Sequence, residues 1–218
     1  MSNPVIVIVG AGPGIGAAMA RRFGRAGYDA ALVARSPQSL EELGEELQQD
    51  GITAGWTAVD ATDAAELTQA IQRFGAHSGS LNHLHFNPSA FTAKKPLELT
   101  ADELLADLRL GVASLLTAVQ AARQFMPTGS RITATGGATA DRPWVAAASL
   151  GAQKAALRNL VTALDGQLKP DGIRAMSLTV AGTVEEGTPF APDRIADAFY
   201  AAAATADDQW QSEVRYTG

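Results

Sequence analysis

The chain has 218 residues, 46% of them hydrophobic, and a formal net charge of −6 at pH 7. This length and hydrophobic content can bury one full core, so we expect a single domain over residues 1–218. The acidic balance disfavours nucleic acid and anionic membranes as partners, and the lack of cysteine excludes disulfides, thiolate nucleophiles and cysteine-based metal sites.

The N-terminal run Pro4–Val9 is apolar and rich in β-branched residues, which predicts a buried parallel strand. A glycine-rich turn over 10–16 follows, and residues 17–23 then have helical spacing. The opening run lacks a basic flank and is too short to span a bilayer. We therefore expect neither a signal peptide nor a membrane anchor, and a cytoplasmic protein.

The turn between this strand and helix is suited to binding phosphate. Its spacing fits Gly-x-x-x-Gly-x-Gly rather than Gly-x-Gly-x-x-Gly, and no Gly-Lys-Ser/Thr follows as a Walker loop requires. Backbone N–H groups of such a turn approach a pyrophosphate, and the helix N-terminus points at it. The candidate cofactor-binding residues here are Gly10, Gly12, Pro13, Gly14, Ile15 and Gly16. A glycine turn that binds no ligand is the alternative.

Strand-like and helix-like segments continue to alternate along the chain. The predicted strands cover 30–34, 53–59, 81–86, 131–135, 173–180 and 213–216, and the predicted helices cover 37–50, 63–75, 100–126, 148–168 and 192–204. This alternation predicts an α/β fold with about seven parallel strands and helices on both faces. Ligands of such sheets bind at the carboxyl ends of the strands, so functional residues should follow each strand.

Arg35 and Ser36 follow the second strand, where an NAD-binding protein usually places Asp or Glu against the ribose diol. A guanidinium there can pair with a 2′-phosphate, and the Ser36 hydroxyl can add a hydrogen bond. These residues favour NADP(H) over NAD(H), with a solvated arginine at a strand end as the alternative. After the third strand, Asp60 and Ala61 are further candidates for the adenine site, while Asp63 is predicted to cap the next helix.

These motifs together resemble the short-chain dehydrogenase/reductase family over nearly the whole chain. The resemblance is carried by the glycine turn, Asp60, the long helix over 100–126, Lys154 and the segment 181–184. It implies a doubly wound Rossmann-type sheet of strand order 3-2-1-4-5-6-7. It also implies that cofactor is contacted after the fourth strand and after the sixth, by Asn87, Pro88 and Ser89 and by Gly182, Thr183 and Val184.

The catalytic positions of the family are altered. The family's tyrosine, a general acid, falls at Leu150, its serine falls at Gly137, and its asparagine falls at Gly111 when the long helix is aligned by its end. Only the lysine is kept, as Lys154, which in the family lowers the pKa of the tyrosine and holds the nicotinamide ribose. Leucine has no proton to donate and glycine has no hydroxyl, so the usual carbonyl reduction is handicapped.

Lys154 is in line with an apolar stripe of the helix over 148–168, where a charge is costly unless it is paired. Bound ribose would satisfy it, and a lysine extending to solvent from the first turns is the alternative. Thr135 and Ser149 are candidates for the missing acid, although a hydroxyl is a poor acid without an assisting base or cation.

His83 and His85 alternate along the fourth strand, which places both imidazoles on one face. No Asp, Glu or Cys at ligand spacing completes a metal site, so no metal is expected. His85 is close to the carboxyl end of its strand, which leaves a role in proton transfer open. Only a short segment separates Gly182 from Pro192, where the family usually carries a longer lid over the substrate.

Two functions follow from these observations. The first is an NADP(H)-dependent oxidoreductase with a degenerate catalytic tetrad, which transfers hydride to or from a small organic substrate. The second is a non-redox NADP(H)-binding protein on the same scaffold: a sensor, a partner-binding module, an isomerase or a cyclase. The alanine-rich helices over 100–126 and 148–168 predict a homodimer or homotetramer, because the family packs these helices between subunits.

Overall fold

Seven parallel strands form one sheet in the order β3-β2-β1-β4-β5-β6-β7. The computed structural model describes residues 3–218. The strands are β1 (Val5–Val9), β2 (Asp29–Ala34), β3 (Ala54–Ala58), β4 (His83–Phe86), β5 (Arg131–Gly137), β6 (Arg174–Val180) and β7 (Glu213–Tyr216). The predicted fold class and strand order are confirmed.

Helices cover both faces of this sheet. They are α1 (Ile15–Arg25), α2 (Pro37–Gln49), α3 (Ala64–Ser78), α4 (Ala101–Leu108), α5 (Ser114–Ala122), α6 (Ala148–Leu168) and α7 (Pro192–Ala203). Strand β1 is buried on both sides: Val5, Val7 and Val9 join the core under α3, α5 and α6, whereas Ile6 and Ile8 join the core under α1, α2 and α7. The continuous apolar run of β1 therefore places the glycine turn at the centre of the sheet.

The long helix predicted over 100–126 is interrupted. Residues Arg109–Ala113 form a π-helical turn between α4 and α5, with Gly111 buried at its centre. Such turns inside helices often mark functional sites, and no periodic apolar pattern predicts them. The helix Asp63 was predicted to cap is α3, and its side chain does accept hydrogen bonds from the N–H groups of Ala65 and Glu66.

A buried ion pair joins α6 to β6. The Asp165 carboxylate accepts hydrogen bonds from Arg174 Nε and a terminal Arg174 nitrogen at 2.9 and 2.8 Å, and from the Ala175 N–H at 2.8 Å. Both side chains of the pair are at most 10% exposed. Because a buried charge is stable only when it is paired and hydrogen-bonded, this contact fixes α6, which carries Lys154, against the sheet.

The edge strand β7 is short and carries charges. Arg158 of α6 pairs with Asp141 at 2.6 Å and with Glu213 of β7 at 2.9 Å. Arg215 of β7 pairs with the same Asp141 at 2.8 Å. These pairs connect the loop after β5, α6 and the edge of the sheet.

The helical stretch Ala101–Phe125 is long and apolar enough to cross a membrane by length and composition. One such helix is weak evidence, because core helices of soluble proteins meet the same criterion. Within this stretch Leu115, Ala118 and Val119 pack in the core against the sheet.

Candidate cofactor and substrate site

The first cavity, of about 370 Å³, lies over the carboxyl ends of the central strands. It is formed by the glycine turn, the residues after β2 and β3, the residues after β4 and the π-helical turn. The lining residues are Gly10, Gly12, Pro13, Ala34, Arg35, Ser36, Ser39, Val59, Ala61, Asn87, Pro88, Ser89 and Leu110. Most of the residues predicted to bind the adenine and phosphate parts of a cofactor therefore share one cavity.

The glycine turn is compact for steric reasons. Gly14, directly before α1, has φ 117°, a conformation that strains any side chain. A Cβ on Gly16 would lie 2.3 Å from the Gly10 carbonyl oxygen, so the chain can fold back only if residue 16 is glycine. No side chain caps α1, and the Ala17 N–H donates to the Gly12 carbonyl at 3.0 Å, so the N–H groups of Ile15 and Gly16 are the ones available to an anion.

Arg35 and Ser36 form the outer rim of the first cavity. Ser36 Oγ accepts a hydrogen bond from the Ser39 N–H at 3.2 Å and so caps α2. Arg35 is exposed and makes no ion pair with any carboxylate in the part of the chain that is described. A cation at the carboxyl end of β2 is placed to receive a negatively charged group.

Asp60 is near the first cavity but does not line it, whereas its neighbours Val59 and Ala61 do. Asp60 Oδ1 accepts hydrogen bonds from the N–H and hydroxyl of Thr62, at 2.9 and 2.8 Å. These bonds, led by that from the N–H, lower the pKa of Asp60 below its ordinary value. One carboxylate oxygen thus stabilises the turn after β3, and contact of Asp60 with adenine stays a prediction.

The second cavity, of about 360 Å³, lies beside the first, and Ser89 lines both. It is bounded by the ends of β5 and β6 and by the first turns of α6. Its lining residues are Ile15, Ser89, Thr135, Gly136, Gly137, Ala138, Thr139, Leu150, Lys154, Val180, Ala181, Gly182, Thr183 and Val184. Lys154 is the only charged residue in this set.

Lys154 is buried, with 6% of its surface exposed, and Nζ donates a hydrogen bond to the Thr135 carbonyl at 2.8 Å. Burial lowers the pKa of Lys154 from 10.5 to about 8. No carboxylate pairs with it within residues 3–218. The ammonium can therefore still donate to oxygens of a ligand in the second cavity, as the ribose prediction requires.

A chain of buried hydrogen bonds runs between β4 and β5. Thr133 Oγ1 lies 2.9 Å from both His83 Nε2 and His85 Nδ1. His85 Nε2 in turn lies 3.5 Å from Thr135 Oγ1. Both imidazoles are at most 1% exposed, and burial lowers the pKa of His83 well below its ordinary value and that of His85 to about 3.

This chain of hydrogen bonds ends at the glycine turn. The Thr135 hydroxyl donates to Asn87 Oδ1 at 2.8 Å, and Asn87 Nδ2 donates to the Gly10 carbonyl at 3.1 Å. Because the Thr135 proton is used in this way, its oxygen accepts from His85, whose Nδ1 then accepts from Thr133. Both histidines are thus neutral and protonated at Nε2, and they orient the polar side chains between the two cavities.

A family model for short chain dehydrogenase matches residues 4–194. The chain belongs to the short-chain dehydrogenase family. The cyclic-di-GMP-binding biofilm dispersal mediator protein of Escherichia coli is 32% identical over 175 residues, which cover 79% of this chain and 70% of that protein.

Solved structures agree with this membership. A short chain dehydrogenase from Burkholderia cenocepacia, in complex with NADP, has a TM-score of 0.88 at 25% identity, covering 100% of this chain and 97% of that one. A blue fluorescent protein from a metagenomic library, in complex with NADPH, has a TM-score of 0.87 at 27% identity, covering 99% and 96%.

Leu150 and Gly137, the positions predicted to replace the family's tyrosine and serine, both line the second cavity. Leu150 lies one helical turn before Lys154 on α6, and Gly137 ends β5 opposite the same lysine. A Cβ on Gly137 would lie 3.5 Å from Lys154 Cγ and 3.8 Å from Thr139 Oγ1, which is ordinary contact. The Thr139 hydroxyl itself is buried without a hydrogen-bond partner in residues 3–218.

Gly111, predicted to replace the family's asparagine, is covered by a residue that sequence reasoning missed. A Cβ at Gly111 would lie 2.2 Å from Gln153 Cδ. Gln153 donates to the Asp107 carbonyl at 3.1 Å and accepts from Ser89 Oγ at 3.0 Å and from the Ala90 N–H at 3.3 Å. Gln153 thus fills the space beside the π-helical turn and connects it to the loop after β4. In the sequence, only the position of Gln153 directly before Lys154 points to a role at the site.

Ser149 does not line either cavity. Its buried hydroxyl donates to Asp107 Oδ2, and Thr92 donates to the other oxygen of the same carboxylate at 3.2 Å. The hydroxyl of Ser149 is therefore committed to joining α6 to α4, and of the two candidate acids only Thr135 lies at the cavity.

The segment after β6 is short, as predicted, and contacts with β7 fix its position. Tyr216 of β7 donates a hydrogen bond from its hydroxyl to the Pro189 carbonyl at 2.7 Å. The Phe190 ring packs edge-on against Tyr216 and lies against Gly182, where a Cβ would meet it at 2.3 Å. Gly182, Thr183 and Val184, which are predicted to contact cofactor, line the second cavity from the start of this segment.

Proposed function

We propose that this protein is an NADP(H)-dependent oxidoreductase with a degenerate catalytic tetrad, which transfers hydride to or from a small organic substrate. The observation that carries the proposal is the pair of adjoining cavities. The glycine turn and Arg35 lie in the first, and the buried, carboxylate-free Lys154 lies in the second. This arrangement suits NADP(H), whose 2′-phosphate would lie in the first cavity and whose nicotinamide ribose would lie in the second.

The first cavity would hold the adenine end. The uncapped N-terminus of α1 would bind the pyrophosphate through backbone N–H groups, and Arg35 with Ser36 would bind the 2′-phosphate. The preference for NADP(H) over NAD(H) is supported by the NADP and NADPH in the two solved relatives.

The second cavity would hold the nicotinamide end. Lys154 would donate to the ribose hydroxyls, and the backbone of Gly182 to Val184 would lie along the nicotinamide. Bound NADPH supplies the hydride, so the protein's own task is to orient the substrate and to manage its proton. Leu150 and Gly137 offer no acidic group, and the Thr135 proton is donated to Asn87 Oδ1, which leaves the Thr139 hydroxyl, without a partner in residues 3–218, as the group we propose for a substrate oxygen.

Titration of the protein with NADPH and NADH, followed by nicotinamide fluorescence, tests the proposal. We expect NADPH to bind more tightly than NADH. Arg35→Ala should weaken NADPH binding about ten-fold or more while changing NADH binding little, because a charge-assisted contact to phosphate is lost. Lys154→Ala should weaken the binding of both nucleotides.

Arg142→Ala is the matched control, since Arg142 is also exposed and follows a strand but does not line the first cavity. Equal losses for the Arg35 and Arg142 variants would contradict the assigned phosphate site. Binding of neither nucleotide by the unmodified protein would rule out the oxidoreductase.

The alternative is a non-redox binding protein: an NADP(H) sensor, a partner-binding module, or an isomerase or cyclase. The missing acid at Leu150 favours it, as does the relative from Escherichia coli whose name states that it binds cyclic-di-GMP. Adding cyclic-di-GMP to the same titration distinguishes the non-redox binding protein from the oxidoreductase. Tight binding of cyclic-di-GMP that displaces NADPH would favour a nucleotide sensor.

We also propose that the protein is cytoplasmic and forms a homodimer or homotetramer through α4, α5 and α6. Leu105 and Leu116, on these helices, are 61% and 38% exposed, which leaves apolar surface for a second copy. Light scattering at micromolar concentration should give a dimer or a tetramer.

A further inference from the structure

Two aromatic side chains are exposed beside the second cavity. Phe91, in the loop after β4, is 60% exposed, and Trp144, in the loop after β5, is 51% exposed. Their ring centroids are 5.6 Å apart, with the ring planes tilted by 43°. We call these two residues the aromatic pair.

Contacts of neighbouring residues place the aromatic pair over the first turns of α6. The Ala90 N–H, next to Phe91, donates to Gln153 Oε1 at 3.3 Å. Pro143, next to Trp144, lies against Gly151, where a Cβ would come 3.7 Å from Pro143 Cα. Leu150, next to Gly151, lines the second cavity, and so does Ser89, two residues before Phe91, so the loops that carry the aromatic pair also reach that cavity.

The loop after β6 also carries an exposed apolar group. Val184 lines the second cavity and is 43% exposed. Val145, next to Trp144, is 63% exposed. Three loops that follow three adjacent strands thus carry exposed apolar groups, at the edge of the sheet where ligands of such folds bind.

We infer that the substrate is an aromatic or similarly planar apolar carbonyl compound, whose ring packs on Phe91 and Trp144 while its polar group points to Lys154. The identity of the substrate's reacting group rests on the proposed oxidoreductase function, but recognition of its ring by the aromatic pair does not. Exposed aromatic rings that a ligand covers lose little conformational freedom and bury a large area, which makes them effective anchors. A small carboxylate such as pyruvate would leave this surface uncovered.

Calorimetric titration with acetylnaphthalene, an aromatic ketone, tests this inference, with pyruvate as the comparison. We expect acetylnaphthalene to bind and pyruvate not to bind. Phe91→Ala and Trp144→Ala should each weaken acetylnaphthalene binding roughly three- to ten-fold, since one aromatic contact is lost in each. Quenching of the fluorescence of Trp144, measured by comparison with Trp144→Phe, should accompany binding.

Leu97→Ala is the matched control, because Leu97 is a fully exposed apolar residue of the loop that carries Phe91. An equal loss in this variant, preferred binding of pyruvate, or no binding of acetylnaphthalene would overturn the inference. NADPH binding is measured separately in the same samples. Acetylnaphthalene binding without NADPH binding would support the aromatic pair and reject the oxidoreductase, whereas the reverse would reject the aromatic pair alone.

Discussion

Leu150→Tyr combined with Gly137→Ser is expected to raise NADPH-dependent reduction of aldehydes and ketones by about 10²–10⁴-fold, the usual contribution of a positioned general acid. Residue 150 lies one helical turn before Lys154, so a tyrosine hydroxyl there would lie near the ammonium. Gly137 has φ −153°, which any residue adopts, and its Cβ would make only ordinary contacts. NADPH oxidation across a panel of carbonyl compounds measures the effect.

Leu150→Phe with Gly137→Ser is the matched control, because it adds the same ring without the hydroxyl. NADPH affinity, measured for both double variants, should match that of the unmodified protein. Equal reductase activity of the two variants would contradict the assignment of Leu150 to the family's tyrosine position.

Gly111, the third position predicted to be altered, is not expected to accept the family's asparagine as easily. Gly111→Asn would bring a side chain against Gln153, whose hydrogen bonds connect the π-helical turn to the loop after β4. The Gln153 side chain fills the space beside Gly111, so the double variant keeps glycine at residue 111.

We expect the folded protein to lose stability in mild acid. His83 and His85 stay neutral in the folded protein, since burial lowers the pKa of His83 well below 6.5 and that of His85 to about 3. The unfolded chain takes up both protons as the pH falls through 6.5, whereas the folded protein does not. The free energy of unfolding should therefore fall by about 4 kcal/mol between pH 7 and pH 5.

Urea titrations at half-unit steps of pH measure this loss, and the window above pH 5 avoids most carboxylate protonation. His77→Gln is the control, because His77 is exposed on α3 and this variant should keep the same pH dependence. Nitrogen-15 NMR should find both buried imidazoles protonated at Nε2. Signals of His83 or His85 that titrate near pH 6.5 in the folded protein would refute the prediction.

The fold was predictable because its signals are local. The continuous burial of β1 and the turn with glycines at 10, 14 and 16 each follow from a pattern of a few residues, and the alternation of strands and helices predicts the parallel sheet. The strand order followed from the family resemblance. The π-helical turn was not predictable, because no motif of residue types marks such a turn inside a helix.

The cavity-lining residues were predictable where they follow strands, as with Arg35, Asn87 and Gly182. The roles of side chains whose hydrogen-bond partners are far away in the sequence were not predictable. Ser149 is next to the family's tyrosine position, yet its hydroxyl binds Asp107, 42 residues away. Likewise, the link from His85 to Thr135 spans 50 residues and exists only once β4 and β5 are paired.

The edge strand β7 limits how copies of the chain can associate. An open strand edge exposes unpaired N–H and C=O groups that can recruit strands of another molecule, and short, charged edges prevent such recruitment. Strand β7 has four residues, and its Glu213 and Arg215 are held in ion pairs to Arg158 and Asp141. This edge of the sheet is thus protected against end-to-end growth into fibres, which supports the helices as the contact surface of the proposed assembly.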